Sequence, residues 1–397
     1  MSRKIKLTGI FLVSFISFCF SQETGNKNHH YFEPEYLIGK IIPISNNSKF
    51  PETSFQQTIA LSMGFTNNDT TKWGRYYNHA ETGFMTLYSY LGNGKVLGHQ
   101  FSLLPFISFK IFNHLKTPCK LRLGAGISYF TSRFDSLSNP TNEVIGSQFT
   151  WDVKVFMYKS ILKKNGFNLQ VGFGFSHESN GHTRLPNLGI NSPMLTISGK
   201  FYNYKEDNYV SSTRVKRGNI APKNYFFTIR QGLGLHEQDE TEGPQMGVLK
   251  PVYATTVSSS ILFNNHLKLR AGFTYRLYRH YYDHIIENQV DGLIDNPGWS
   301  ASNVSFFLGN EFLMSHVSID GELGVNLHKP FYRKFNPKSD VGLTLQKTLL
   351  TRIGLNLYLI NTQKMPKHNL FIGTHIKANM VKADYTEFTL GYTYKLN

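Results

Sequence analysis

Past its first 22 residues the chain has no long apolar run. A transmembrane helix needs about 18 to 20 consecutive apolar residues, so none is expected. Cysteine is nearly missing as well. Cys19 sits in the leading apolar stretch and Cys119 would stand alone in the exported chain, which leaves no internal disulfide. Charged residues make up only 17% of the chain, while aromatics reach 14%. That pairing is unusual for a soluble protein of 397 residues and suits a membrane barrel with aromatic girdles. Acidic residues are the scarcer sign, and the formal net charge is +16. No nucleic-acid motif accompanies this excess, so no nucleic-acid partner is expected. The basic character is read as loops facing anionic lipid, with an ordinary solvated surface as the competing account.

The first residues, MSRKIKLTGIFLVSFISFCFSQ, place Arg3, Lys4 and Lys6 before the apolar residues 7–20. This stretch is too short to span a bilayer and is followed by small polar residues. Residues 1–21 are therefore expected to be a cleaved signal peptide, with the cut between Ser21 and Gln22.

Strict alternation follows. In the C-terminal YTEFTLGYTYKLN, Phe388, Leu390, Tyr392, Tyr394 and Leu396 share one parity, and Glu387, Thr389, Gly391 and Thr393 the other. Period-two alternation gives a strand with one apolar and one polar face. LRLGAGISYF (121–130), NLQVGFGF (168–175) and HLKLRAGFTYRLY (266–278) repeat the pattern. The expected fold is all-β, a transmembrane antiparallel β-barrel of roughly 12–16 strands. A closed barrel leaves no backbone edge in lipid. A single barrel over residues 22–397 is expected, with loops near 66–80, 205–223, 236–250 and 284–300. A soluble exported β-sandwich is the minor alternative.

The stretch FGFSHESNGHTRLPNLGIN (173–191) breaks this order. His177 and Ser179 continue the apolar series Leu169, Val171, Phe173 and Phe175, and Asn191 shares the parity of Leu195 and Ile197. Three polar groups thus fall on the face turned to lipid, which is costly and points to function. His and Ser two residues apart on one strand face suit a base and a nucleophile. Asn191 could accept from the imidazole and fix its tautomer. Asn180, Asn187 and the backbone near Gly181 are candidate oxyanion donors. Glu178 has the parity of the barrel interior. The competing structural account is a strand cap followed by an Asn/Gly turn.

The longer string SHESNGHTRLPNLGIN resembles the lipid A 3-O-deacylase (PagL-type, acyloxyacyl hydrolase) family of outer-membrane barrels. The matching positions are His177, Ser179, Asn180, Pro186, Asn187, Gly189 and Asn191. The resemblance implies an outer-membrane serine esterase that removes an acyl chain from lipid A of lipopolysaccharide. Its His and Ser would face outward from the barrel. Two departures stand out: Asn191 replaces the family's Glu, and the chain is much longer than eight-stranded members. HESNG with an Asn third member is also similar to outer-membrane phospholipase A, which makes phospholipid the second substrate class. A porin-like or structural barrel without activity is the third reading. The implied chemistry needs no cofactor and no metal, and the sequence leaves a homodimer open.

Other stretches carry less. Residues 275–287 gather Tyr, Arg, His280, Asp283 and His284; an aromatic girdle running into a basic loop is expected rather than a metal site. His236 and Glu237 read as a strand end, His29 and His30 as periplasmic residues ahead of the barrel, and LGNGKVLG as a turn. A site in the outer leaflet would put 180–190 at the extracellular rim. The long stretch 205–223 then falls on the periplasmic side, where short turns are usual.

Overall fold

The computed structural model describes residues 29–43, 50–66, 80–112, 119–202, 223–237, 248–337, 341–380 and 382–397. The expected signal peptide and most of the loops near 66–80, 205–223 and 236–250 lie outside the described residues. Sixteen strands run through the described residues. The first eight are β1 (His29–Gly39), β2 (Gln56–Thr66), β3 (Glu81–Tyr90), β4 (His99–Ile111), β5 (Cys119–Phe130), β6 (Phe149–Lys164), β7 (Phe167–Ser179) and β8 (Ile190–Tyr202). The second eight are β9 (Asn224–His236), β10 (Lys250–Phe263), β11 (Leu267–Tyr278), β12 (Ser302–Met314), β13 (Val317–His328), β14 (Leu349–Tyr358), β15 (His368–Asn379) and β16 (Lys382–Lys395).

These strands do not close as the one barrel expected from the sequence. They form two closed antiparallel barrels of eight, β1–β8 and β9–β16. The first closes where β1 pairs β8, from Tyr31↔Tyr202 to Gly39↔Met194. The second closes where β16 pairs β9, from Thr386↔Leu235 to Lys395↔Phe226. The reason for the difference is physical. Alternation reports which face a residue takes, and that is the same in one ring of sixteen or two of eight. The long stretch expected near 205–223 has a simple place in the chain order: it joins β8 of one barrel to β9 of the next.

Outward positions carry exposed apolar side chains, among them Met63 (66% exposed), Leu195 (64%) and Phe388 (63%). Many inward positions are polar and paired, beside apolar ones such as Leu37, Met85, Leu104 and Met194. In the first barrel Arg122 bonds Glu33 at 2.6 Å, and Lys120 and Lys200 hold the two oxygens of Glu81 at 2.7 and 2.6 Å. Lys154 sits 3.1 Å from Asp152 and 3.0 Å from Glu178. In the second, Arg230, Arg270 and Arg352 surround Asp320 and Glu322, and Arg352 reaches Glu387 at 2.8 Å. Charges taken from water are tolerated when paired in this way. An eight-stranded ring is just wide enough for such side chains to fill, so each interior is a packed core of ion pairs and apolar side chains rather than a channel.

Rim elements differ from expectation in two places. His29 and His30 open β1 instead of preceding the barrel. Residues 279–287 form a helix, α1 (Arg279–Glu287), rather than a loop, because His280, Tyr281, His284 and Ile285 share one buried face. Tyr281 stacks on Phe331 with ring centroids 4.1 Å apart, which packs α1 over the end of the second barrel. Asp283 is held by Lys250 at 2.7 Å and Arg279 at 2.8 Å. LGNGKVLG forms the β3–β4 turn, where Leu97 N–H donates to Asn93 O at 2.9 Å. Cys119 is a free, half-buried thiol at the start of β5.

Candidate active site

Strand β7 ends at Ser179, and β8 begins at Ile190. Their register sets His177 directly opposite Asn191. On the other side of β7, His177 faces Val153 and Ser179 faces Trp151 of β6. The parity expected from the sequence holds below the site: Phe173, Phe175, Leu195 and Ile197 are exposed on the outer face. His177 and Asn191 continue that face and are half-buried, while Ser179 is only 5% exposed.

His177 Nδ1 lies 2.8 Å from Asn191 Oδ1. An amide oxygen accepts only, so the ring proton sits on Nδ1 and the lone pair on Nε2. Asn191 Nδ2 is buried and has no partner among the described residues. Ser179 Oγ accepts from Gly181 N–H at 3.1 Å. No hydrogen bond joins Ser179 to His177 among the described residues, an arrangement familiar in enzymes without bound substrate.

The turn after Ser179 is tied down at several points. Asn180 N–H donates to Asn187 Oδ1 at 3.2 Å, and Asn180 Nδ2 donates to Arg184 O at 2.6 Å. Asn180 thus donates within the turn, Asn187 enters it as an acceptor through Oδ1, and Gly181 N–H is the donor directed at the serine oxygen. Thr183 Oγ1 donates to Asn180 O at 2.9 Å. The turn also docks on the β5–β6 loop, through Leu188 N–H to Glu143 O at 3.3 Å and Gly189 N–H to Val144 O at 3.1 Å. Two glycines meet the left-handed backbone this path requires, Gly181 with φ +61° and Gly189 with φ +71°. A Cβ on Gly189 would lie 3.4 Å from Ser179 Cβ and 3.6 Å from His177 Cε1. Gly189 therefore covers the pair.

Sequence reasoning missed a further group. Trp151 Nε1 donates to Thr386 Oγ1 of the second barrel at 2.8 Å. Leu185 N–H donates to Glu237 Oε2, just past β9, at 2.8 Å. The rings of His182 and His236 stack at 6.1 Å. Nothing local in the sequence signals these contacts, which join positions 52 to 235 residues apart. Glu178 is fully buried inside the first barrel and bonded to Lys154 and Ser176, away from the outer-face site.

Two side-chain-filled barrels with apolar outer faces define the class: a transmembrane β-barrel protein carrying a polar cluster at the lipid-facing end of one barrel. Residues 58–200 belong to the lipid A 3-O-deacylase (PagL) family, and residues 225–396 to the acyloxyacyl hydrolase C-terminal domain family. Each match falls within one barrel, and together they define an outer-membrane hydrolase acting on lipid A esters. Comparison with curated proteins gives no match. Among solved structures, one described as the outer membrane enzyme PagL is 16% identical and covers 42% of this chain and 97% of its own, with a TM-score of 0.29. The outer membrane protein opdK from Pseudomonas aeruginosa is 9% identical over 93% of this chain and 99% of its own, with a TM-score of 0.21. OccAB3 from Acinetobacter baumannii is 7% identical over 93% and 99%, with a TM-score of 0.24.

Proposed function

We propose that the chain removes an ester-linked acyl chain from lipid A of lipopolysaccharide, with Ser179 as nucleophile, His177 as base and Asn191 as the residue that orients the ring. The observation that carries this reading is the 2.8 Å bond from His177 Nδ1 to Asn191 Oδ1. It leaves Nε2 free to take a proton, two residues from a hydroxyl, on a face lined by hydrocarbon-facing side chains. Rotation of the Ser179 side chain onto Nε2 lets His177 accept its proton as Oγ attacks the ester carbonyl. The developing oxyanion forms beside Gly181 N–H, which lies 3.1 Å from Oγ. Collapse expels the lipid A hydroxyl with the proton from His177. Water, activated by the same ring, then releases the fatty acid.

The outward placement supports a substrate that stays in the membrane, since an acyl chain reaches His177 alongside Phe173 and Phe175 without leaving lipid. Asn191 in place of Glu favours a second reading, hydrolysis of phospholipid by the same residues. Purified wild type and Ser179→Ala, offered lipopolysaccharide and phospholipid separately, distinguish the two by released fatty acid in mass spectrometry. Release from lipopolysaccharide that is lost in the variant supports the first reading. Release from phospholipid alone supports the second. No release from either, with a folded barrel shown by heat-modifiable gel mobility, refutes both.

A further inference from the structure

The first barrel carries every residue of the proposed chemistry, yet its catalytic turn leans on the second barrel. We propose that the second barrel completes the site, with Thr386 and Glu237 acting as positioning residues that aim Gly181 N–H at the Ser179 oxygen. This inference rests on the function proposed above.

The contacts converge from two sides of the turn. Gly181 packs against Thr386: a Cβ added at Gly181 would lie 2.6 Å from Thr386 Oγ1 and 3.7 Å from Trp151 Cδ1. Thr386 Oγ1 is itself fixed by the Trp151 indole N–H at 2.8 Å. Trp151 pairs with Ser179 across β6 and β7. The same indole thus flanks the nucleophile and grips the neighbouring barrel. At the far end of the turn, the Glu237 carboxylate accepts from Leu185 N–H at 2.8 Å, and His182 stacks on His236 between these points. Thr386 occupies an outward position on β16, where Phe388 and Leu390 beyond it are exposed; it is only 6% exposed because the first barrel covers it.

The bonds within the turn run from Asn180 to Thr183, Arg184 and Asn187, while its left-handed pair Gly181 and His182 meets Thr386 and His236 of the second barrel. Gly181 N–H reaches Ser179 Oγ only while the direction of the turn is held. The second barrel supplies a rigid rim, at the ends of β9 and β16, on which the turn rests, which is how a donor is preorganised for charge that develops only in the transition state. The prediction is therefore an effect on kcat with KM unchanged, because neither Thr386 nor Glu237 faces the lipid-side approach to Ser179.

The test uses the full chain in detergent with an alkyl fluorophosphonate probe, and fatty-acid release as a second readout. In labelling, Ser179 Oγ bonds to phosphorus, fluoride leaves and His177 takes the hydroxyl proton. Labelling therefore reports site assembly without needing the lipid. Wild type should be labelled at Ser179, and Ser179→Ala should not. Glu237→Ala and Thr386→Ile should label and turn over about tenfold more slowly or worse, given that a misplacement of about 1 Å can cost about 100-fold. KM should stay within about twofold. Glu237→Gln and Thr386→Ser keep the accepting oxygens and should restore the rate, which a merely structural role would not require. If Thr386→Ile does not fold, Glu237→Ala carries the test, since it alters only the rim contact. Wild-type labelling with Glu237→Ala at the wild-type rate overturns the inference and leaves the Ser179–His177 reading standing. A folded wild type that is not labelled overturns both.

Discussion

Replacing Asn191 with Ala separates a ring-orienting role from a merely structural one. The bond to be lost is the 2.8 Å contact between His177 Nδ1 and Asn191 Oδ1, at half-buried side chains. In the ground state it joins two neutral groups and is worth about 1 kcal/mol. When His177 takes the Ser179 proton the ring becomes a cation, and a hydrogen bond to a charged group is worth about 1.5–3 kcal/mol. Only the difference, about 0.5–2 kcal/mol, acts on the step, so at about 1.4 kcal/mol per tenfold removing the bond should lower kcat by about 2- to 30-fold. The loss should stay below the roughly 10⁴-fold seen when a protease's orienting acid becomes an amide, because Ala frees the ring instead of holding the wrong tautomer. Asn191→Asp should recover wild-type kcat or exceed it. A carboxylate accepts the same N–H, and the substitution removes the buried, unpartnered Asn191 Nδ2. The assay is fatty-acid release at several substrate concentrations, on variants whose folding is checked by heat-modifiable mobility. Asn191→Ala with kcat equal to wild type would refute the orienting role.

Three more expectations follow from the same structure. Gly189→Ala places a side chain at φ +71° with its Cβ 3.0 Å from Glu178 O; it should cost about 1–2 kcal/mol locally and lower fatty-acid release, whereas unchanged turnover would show that Gly189 does not shape the site. Lys154→Met leaves the buried Asp152 and Glu178 carboxylates without their 3.1 and 3.0 Å cation; a loss of about 3–5 kcal/mol is expected, read as a lower temperature for the heat-modifiable transition, and an unchanged transition would contradict the pairing. His280 in α1 is held down to about 4 by burial and by the nearby positive charge of His236. Its folded value is depressed below the usual 6.5. The unfolded chain therefore takes up the proton first, and this contribution to stability is present above about pH 6.5 and is lost as pH falls towards 4. Melting between pH 7 and 4 should be less pH-dependent in His280→Gln, and identical slopes would refute the assignment.

What the sequence made legible was everything that depends on parity. The outward series through Phe173 and Phe175, the inward Glu178 and the outward C-terminal Phe388 and Leu390 all hold, because a strand's two faces are written in adjacent residues. The shared face of His177 and Asn191 was legible for the same reason, since residues of matching parity on adjacent strands fall on one outer face. Closure was not legible. The choice between one ring and two rests on whether β8 returns to β1, a pairing of Ile38 with Leu195 that leaves no local mark on either strand. The helix α1 was also missed, since Tyr, His and Arg in a row suit a girdle as well as an amphipathic turn, and only packing on Phe331 decides between them. The same limit hid the contacts behind the turn over 180–189. Thr386 reads as one more position in an alternating strand, and its burial comes from Trp151 of the other barrel. Local pattern thus brings His177, Ser179 and Asn191 to one strand face, while the contacts that Thr386 and Glu237 make behind them are found only once the two barrels are set side by side.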